Sequence, residues 1–164
     1  MMDASTGRDF TRLGLIGYPL GHSFSPQLHK AAMEASGLKG EYRLYAISPG
    51  DGALEAISVL MEKLRAGELA GLNVTIPHKQ TVMRVVDRLG EFARNVGAVN
   101  TLVMQDGELF GENTDVPGFL HDLTNLPWKA SGSALVLGAG GSARAVVYAL
   151  ASAGWDVCVA SRRA

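Results

Sequence analysis

The sequence predicts an α/β protein: a mostly parallel sheet with one antiparallel hairpin strand, followed by a separate strand–turn–helix–strand unit. Three observations carry that expectation. Short apolar, β-branched runs alternate with longer segments that are apolar at helical spacing, the pattern of strands joined by crossover helices. Asp106-Gly107, between two short apolar runs, is a hairpin dipeptide and requires one antiparallel pair. Near the carboxyl end an apolar run meets a glycine-rich turn, a helical pattern and a second apolar run.

The chain has 164 residues, 47% of them hydrophobic, and a net charge of −1, enough to bury a core and too apolar for a disordered chain. Its 15 basic residues are balanced by 16 acidic ones without a basic stripe, so no nucleic-acid partner is expected. No apolar run is long enough to cross a bilayer, and residues 1–12 form a polar leader, expected to fray, without the apolar core of a signal peptide. A cytoplasmic protein with no membrane partner follows. Cys158, the single cysteine, cannot pair within the chain, and between Val157 and Val159 it is expected to be buried and inert. The four histidines lack His-x-x-x-His spacing and paired cysteines, so no metal site is expected.

Residues 13–17 read as the first buried strand, followed by a hydroxyl-rich loop. Ser25 is the expected N-cap and Pro26 the first residue of a helix that Gly37 stops. Ser25 could be only a cap; with Ser23 beside it, the helix start becomes a candidate site for an anionic group such as a carboxylate. Residues 42–47 form the second expected strand. Ser48-Pro49 should open a helix to Leu64, whose stripe of Leu54, Ile57, Val59, Leu60, Met61 and Leu64 is core.

In the next segment Leu72, Val74 and Ile76 alternate with Asn73 and Thr75, the pattern of a strand with an apolar and a polar face. Pro77 ends the ladder and should start a helix running through Val82, Val85 and Val86. Lys79 falls at that switch. A lysine there could be a solvated surface residue, but cations are unfavourable beside a helix N-terminus, which favours a role. Ligands of open α/β sheets lie at the carboxyl ends of strands, where Asn73, Thr75 and Lys79 would then sit. A short helix over residues 91–95 should end at Gly97.

Residues 98–104 are expected to form a strand that returns through 108–111 and runs into Glu112-Asn113-Thr114-Asp115. Phe119, Leu120, Leu123 and Leu126 follow at helical spacing, so Asp115 lies at a helix start, where it is either a favourable first-turn charge or a catalytic group. Residues 127–132 are a polar linker and the expected boundary between a first domain, 13–127, and a second beginning at 132 and continuing to 164. There a strand leads into Gly138-Ala139-Gly140-Gly141-Ser142-Ala143, a helix and another strand. This is G-x-G-x-x-A in the context that makes it a dinucleotide-binding (Rossmann) turn: glycines let backbone N–H groups approach a pyrophosphate at the positive end of a helix. Beyond the second strand, Ser161-Arg162-Arg163 stands where an NAD site would have an acidic residue. Positive charge there suits a 2′-phosphate and predicts NADP as cofactor, although a surface arginine pair would look the same.

With those motifs in order, the chain resembles the amino-terminal part of the shikimate dehydrogenases. The blocks that carry the resemblance are Gly17-Tyr18-Pro19 with His22-Ser23-Phe24-Ser25-Pro26 and His29, then Asn73-Val74-Thr75-Ile76-Pro77-His78-Lys79, then Gly97-Ala98-Val99-Asn100-Thr101, then Gly111-Glu112-Asn113-Thr114-Asp115, and the turn at Gly138. The resemblance implies reversible NADPH-dependent reduction of 3-dehydroshikimate to shikimate, in aromatic amino-acid (chorismate) biosynthesis, by a monomer or homodimer. It makes Lys79 and Asp115 the catalytic pair, Ser23 and Ser25 carboxylate-binding hydroxyls, and Asn73, Thr75 and Asn100 contacts to ring hydroxyls or supports of the pair. A ketone reduced by hydride needs a proton at the developing alkoxide, which an ammonium can supply. The chain departs from the family at His29-Lys30, expected to be a helix-surface change, and at Ser161-Arg162-Arg163, which adds positive charge. It also stops well short of family length, so this piece by itself is expected to be inactive. A quinate/shikimate dehydrogenase, or a silent substrate-binding module, are the alternatives.

Overall fold

The computed structural model describes residues 10–126 and 132–162; the leader up to residue 9, most of the expected linker, and Arg163 lie outside them. Three parallel strands begin the main sheet: β1 (Thr11–Gly17), flanked by β2 (Gly40–Ala46) on one side and β3 (Gly71–Val74) on the other. β5 (Thr101–Gln105) then pairs antiparallel with both β3 and its hairpin partner β6 (Glu108–Glu112), and the two-residue β4 (Arg88–Leu89) adds to β6 in parallel. The order is β2-β1-β3-β5-β6-β4. At the hairpin Asp106 and Gly107 both take positive φ, the backbone hand of a turn matched to twisted strands. The expected mostly parallel sheet with one antiparallel strand is therefore present, with that strand near its middle.

Strand alternation assigns the two faces. Ile16, Leu72 and Val74 point into the main core against Ile57, Leu60, Met61 and Leu64 of helix α2 (Ala53–Arg65). The opposite face carries α1 (Ser25–Ala35), which packs on β2. Helices α3 (Glu91–Val96) and α4 (Asp115–Thr124) complete the first unit. α5 (Gly141–Ser152) packs against a separate parallel pair, β7 (Ser133–Leu137) and β8 (Asp156–Ala160). The α5 side chains Ala145 and Ala149 share a small apolar cluster with Val96, Ala98 and Val116, which joins this second unit to the first.

Several expectations are corrected. α2 starts at Ala53 rather than at Ser48-Pro49, because Gly50 and Gly52 both take positive φ and an α-helix cannot run through them. Val59, read as part of its core stripe, is 55% exposed. No α-helix follows Pro77: the segment makes isolated turns and a 3₁₀ turn (Thr81–Arg84), consistent with the crowding of β-branched Thr81, Val82, Val85 and Val86. β3 ends at Val74 and the chain turns at Thr75, whose carbonyl accepts the His78 N–H, so Ile76 is 70% exposed instead of continuing the apolar face. Ser25 is not the cap of α1 but its first residue; the Ser23 hydroxyl accepts the Ser25 N–H at 3.3 Å. Cys158 is exposed, and so are Leu135 and Leu137 on the same face of the β7–β8 pair, because α5 covers the opposite face.

One ion pair ties α2 to the distal edge of the sheet. Arg65 donates through both terminal nitrogens to Asp87 at 2.8 Å, and Asp87 also accepts the Leu109 N–H of β6 at 2.8 Å. The Arg65 hydrogen bonds, then the Leu109 bond, hold the Asp87 carboxyl well below its ordinary 3.8, at about 2. A carboxyl with a depressed folded value adds stability that is present above the unfolded value and lost as pH falls through the folded one. Thermal unfolding of the unmodified chain and of Asp87→Asn should therefore converge between pH 4 and pH 2 and stay apart at neutral pH. A gap independent of pH would remove Asp87 as its source.

Candidate active site

Two strand ends and two loops converge at one edge of the sheet. Val74, the last residue of β3, donates its N–H to the Asn100 carbonyl at 2.8 Å, which sets the start of β5 beside the turn that carries Thr75 and Lys79. The Lys79 carbonyl in turn accepts the Val99 N–H at 2.7 Å, so the backbone at Lys79 is held although no helix supports it. Asp115 arrives from β6 as the first residue of α4, its N–H held by the Asn113 side chain at 3.1 Å. Asn113 is fully buried and donates to the Ala98 carbonyl at 2.9 Å, which fixes the approach of α4.

These contacts bring Lys79, Asp115 and Asn100 into one cluster. The Lys79 ammonium donates to Asp115 Oδ2 at 2.5 Å, and Asn100 Nδ2 donates to Asp115 Oδ1 at 2.7 Å, so each carboxylate oxygen has one donor. Asn100 Oδ1 accepts from the Thr114 N–H at 2.8 Å and from the Thr101 and Thr114 hydroxyls at 3.0 and 3.1 Å, which decides which way its amide faces. The Lys79 side chain is 12% exposed and that of Asp115 31%, enough shielding to make the pair stronger than a surface salt bridge while leaving the ammonium accessible. A cation held by a fixed carboxylate is suited to donate a proton to an oxygen that gains negative charge.

The hydroxyl side of the site is linked through a residue that the sequence reading did not single out. Tyr42 of β2 donates its phenol to Asn73 Oδ1 at 2.8 Å. The loop before α1 is tied to the Lys79 loop by the Tyr18 N–H on the Ile76 carbonyl at 2.9 Å. His78, 2% exposed, bonds through Nε2 to the Ile47 carbonyl at 2.6 Å and anchors the residue next to Lys79. Nothing local in the sequence showed what Tyr42 or His78 bonds to, because the partner of each lies 31 residues away. No hydrogen bond of the Thr75 hydroxyl is made among the described residues.

The glycine turn lies over this edge. Gly138, Ala139 and Gly140 line a cavity of about 860 Å³ together with Ile76, Ala160, Ser161 and Arg162, so the two parts of the expected nucleotide site face one space. A Cβ placed on Gly140 would meet nothing within 4 Å, and α5 begins at Gly141, which leaves its first-turn N–H groups open to an anion. A neighbouring cavity of about 530 Å³ is lined by Thr75, Lys79 and Gln80 on one side and by the turn through Ser142, Ala143 and Arg144 on the other. Lys79 also donates to the Ser142 hydroxyl at 3.2 Å. Gly141 serves a packing purpose here, since a Cβ would come within 3.1 Å of the Lys79 stem. With its amide oriented to satisfy both partners, Gln80 accepts from Arg144 at 3.0 and 3.2 Å. Among the described residues, no group of three or more His, Cys, Asp or Glu side chains could hold a metal ion, and no helix is long and apolar enough to cross a membrane.

Residues 15–102 match the family model described as the shikimate dehydrogenase substrate binding domain. The chain belongs to this family. It is 49% identical over 145 residues to the NADP(+) shikimate dehydrogenase of Paramagnetospirillum magneticum, covering 86% of this chain and 51% of that protein. It is 46% identical over 150 residues to that of Oleidesulfovibrio alaskensis, covering 91% and 52%. The chain thus spans about half the length of the curated relatives it matches. The crystal structure of Thermus thermophilus shikimate 5-dehydrogenase in complex with NADP(H) and shikimate superposes with a TM-score of 0.82 at 40% identity, over 93% of this chain and 56% of that one. Shikimate dehydrogenase from Aquifex aeolicus gives 0.83 at 36% identity, over 99% and 58%. The matched stretch, residues 15–102, holds Ser23, Ser25, Asn73, Thr75, Lys79 and Asn100.

Proposed function

We propose that this chain is the substrate-binding part, with the beginning of the nucleotide-binding part, of a cytoplasmic NADP-dependent shikimate dehydrogenase that interconverts 3-dehydroshikimate and shikimate. The observation that carries the reading is the Lys79–Asp115–Asn100 cluster opening toward the glycine turn, with Ser142 hydrogen-bonded to the same ammonium. Ser23 and Ser25, at the start of α1, receive the substrate carboxylate; Asn73, Thr75 and Asn100 receive ring hydroxyls. Lys79 delivers a proton to the carbonyl oxygen as that oxygen becomes a hydroxyl, and recovers one from solvent. Asp115 keeps the ammonium aimed throughout. NADPH, when bound, supplies the hydride that the carbonyl carbon accepts. The residues that would hold it are Gly138 to Ala143, through backbone N–H groups at the start of α5, with Ser161, Arg162 and, by its place in the sequence, Arg163 for the 2′-phosphate; the open cavity lined by Gly138, Ala139, Gly140, Ser161 and Arg162 fits that use.

The same reading divides the chain into a substrate domain over residues 13–127 and a nucleotide-binding domain begun at 132. It leaves monomer and homodimer both open. The deciding experiment has two arms. Calorimetric titration of shikimate into this chain should show saturable binding. Shikimate-dependent reduction of NADP, followed by absorbance in a chain extended to the length of the relatives, should show turnover. Binding without turnover in the long chain would replace the dehydrogenase with a silent substrate-binding module; absence of both would reject the assignment.

A further inference from the structure

Tyr42 is partly buried, with its oxygen on a candidate substrate contact, and the reaction as proposed makes no use of it. The register explains how it gets there. Tyr42 pairs with Leu13 and Asn73 with Leu15 across β1, so both residues have the same parity and stand on the α1 face of the sheet. Two strand spacings separate β2 from β3, roughly 9.6 Å, a gap that needs a long side chain rather than a serine or threonine. The Tyr42 ring is fixed by stacking on His29 of α1, centroids 4.1 Å apart and planes 13° from parallel. Its hydroxyl donates to Asn73 Oδ1 at 2.8 Å. Burial pushes the phenol up to about 12, so it remains a donor throughout the neutral and mildly alkaline range.

An asparagine amide can present either its oxygen or its NH₂ to a ligand, and the two ends recognise opposite partners. With Oδ1 engaged by Tyr42, Nδ2 is the end left for a ligand. We propose that Tyr42 is a positioning residue which locks the Asn73 amide as a hydrogen-bond donor to a substrate hydroxyl. This inference rests on the shikimate reading above. It assigns to β2, an edge strand carrying none of the expected site residues, a part in substrate recognition.

The test is a double-mutant cycle on shikimate binding to this chain, with Tyr42→Phe, Asn73→Ala and both together, read by calorimetry well below each protein's melting temperature. Tyr42→Phe keeps the stacked ring and removes only the oxygen. Each single substitution should weaken binding about tenfold and the double variant scarcely further, since the two act as one unit. Asn73→Ala leaves the tyrosine packing in place and reads the same unit from the other side. In the unliganded chain, Tyr42→Phe should also move the Asn73 side-chain amide resonances, which a loss of stability alone would not do. Unchanged affinity in Tyr42→Phe, or losses that multiply in the double variant, overturns the role of Tyr42 while leaving the shikimate reading intact. No binding by the unmodified chain overturns that reading and this inference with it.

Discussion

Lys79→Met, in a chain extended to the length of the relatives, is expected to lower kcat for shikimate oxidation about a thousandfold, within the range general acid–base groups contribute. The methionine has nearly the same length and fits against Gly141, so the loss reports the ammonium rather than a cavity. Lys79→Arg separates charge from proton transfer. A guanidinium keeps the cation beside Asp115 but does not release its proton in a protein. Shikimate affinity should then stay within a few-fold of the unmodified chain while kcat remains low. The measurement is steady-state kinetics in both directions, together with the shikimate dissociation constant. If Lys79→Arg turned over at the unmodified rate, the proton would have to come from elsewhere and Lys79 would be reduced to a binding cation.

Asp115→Asn should be almost as damaging, through a mismatch of donors. Asp115 accepts from Lys79 on one oxygen and from Asn100 on the other, and Asn100 cannot turn round because its own oxygen is committed to Thr101 and Thr114. An asparagine at 115 has one acceptor for two donors. Whichever way it faces, its NH₂ opposes either the ammonium or the Asn100 amide. The expected result is a fall in kcat of about a hundredfold and a loss of folding stability of about 2 kcal/mol. Asp115→Glu tests the geometry separately, because it restores both acceptors but moves them by a methylene; it should recover stability better than kcat. Kinetics paired with thermal unfolding make the check. Full activity in Asp115→Asn would show that the carboxylate is only a first-turn helix charge.

The element order of this protein was legible because it is written locally. Hydrophobic period distinguishes strands from helices, Asp106-Gly107 marks the hairpin, and the turn at Gly138 announces a nucleotide-type helix start between two strands. Those signals involve neighbours in the chain. So do the polar residues released at strand ends, which is why Asn73, Thr75, Lys79 and Asp115 could be picked out before any contact between them was known. The errors were of the opposite kind. Ser48-Pro49 looks like a helix start until Gly50 and Gly52 take positive φ, and Ile76 looks like the last inward residue of a strand until the backbone turns at Thr75. The burial of Cys158 was misread because burial depends on what covers a strand, not on the residues beside it.

Outside the segment from Pro77 to Leu89, where a 3₁₀ turn and a short strand replace the expected helix, the sequence by itself determined which elements form, which residue types stand at their ends, and hence the family to which the chain belongs. Tertiary structure alone decided the partners. Asp115 meets Lys79 across 36 residues, Ser142 meets it across 63, and Tyr42 meets Asn73 across an intervening strand. The physical reason is that propensity and periodicity act over a turn or two of chain, whereas an amide's orientation and an ammonium's carboxylate are set by sheet register and helix docking. Those are properties of the folded whole.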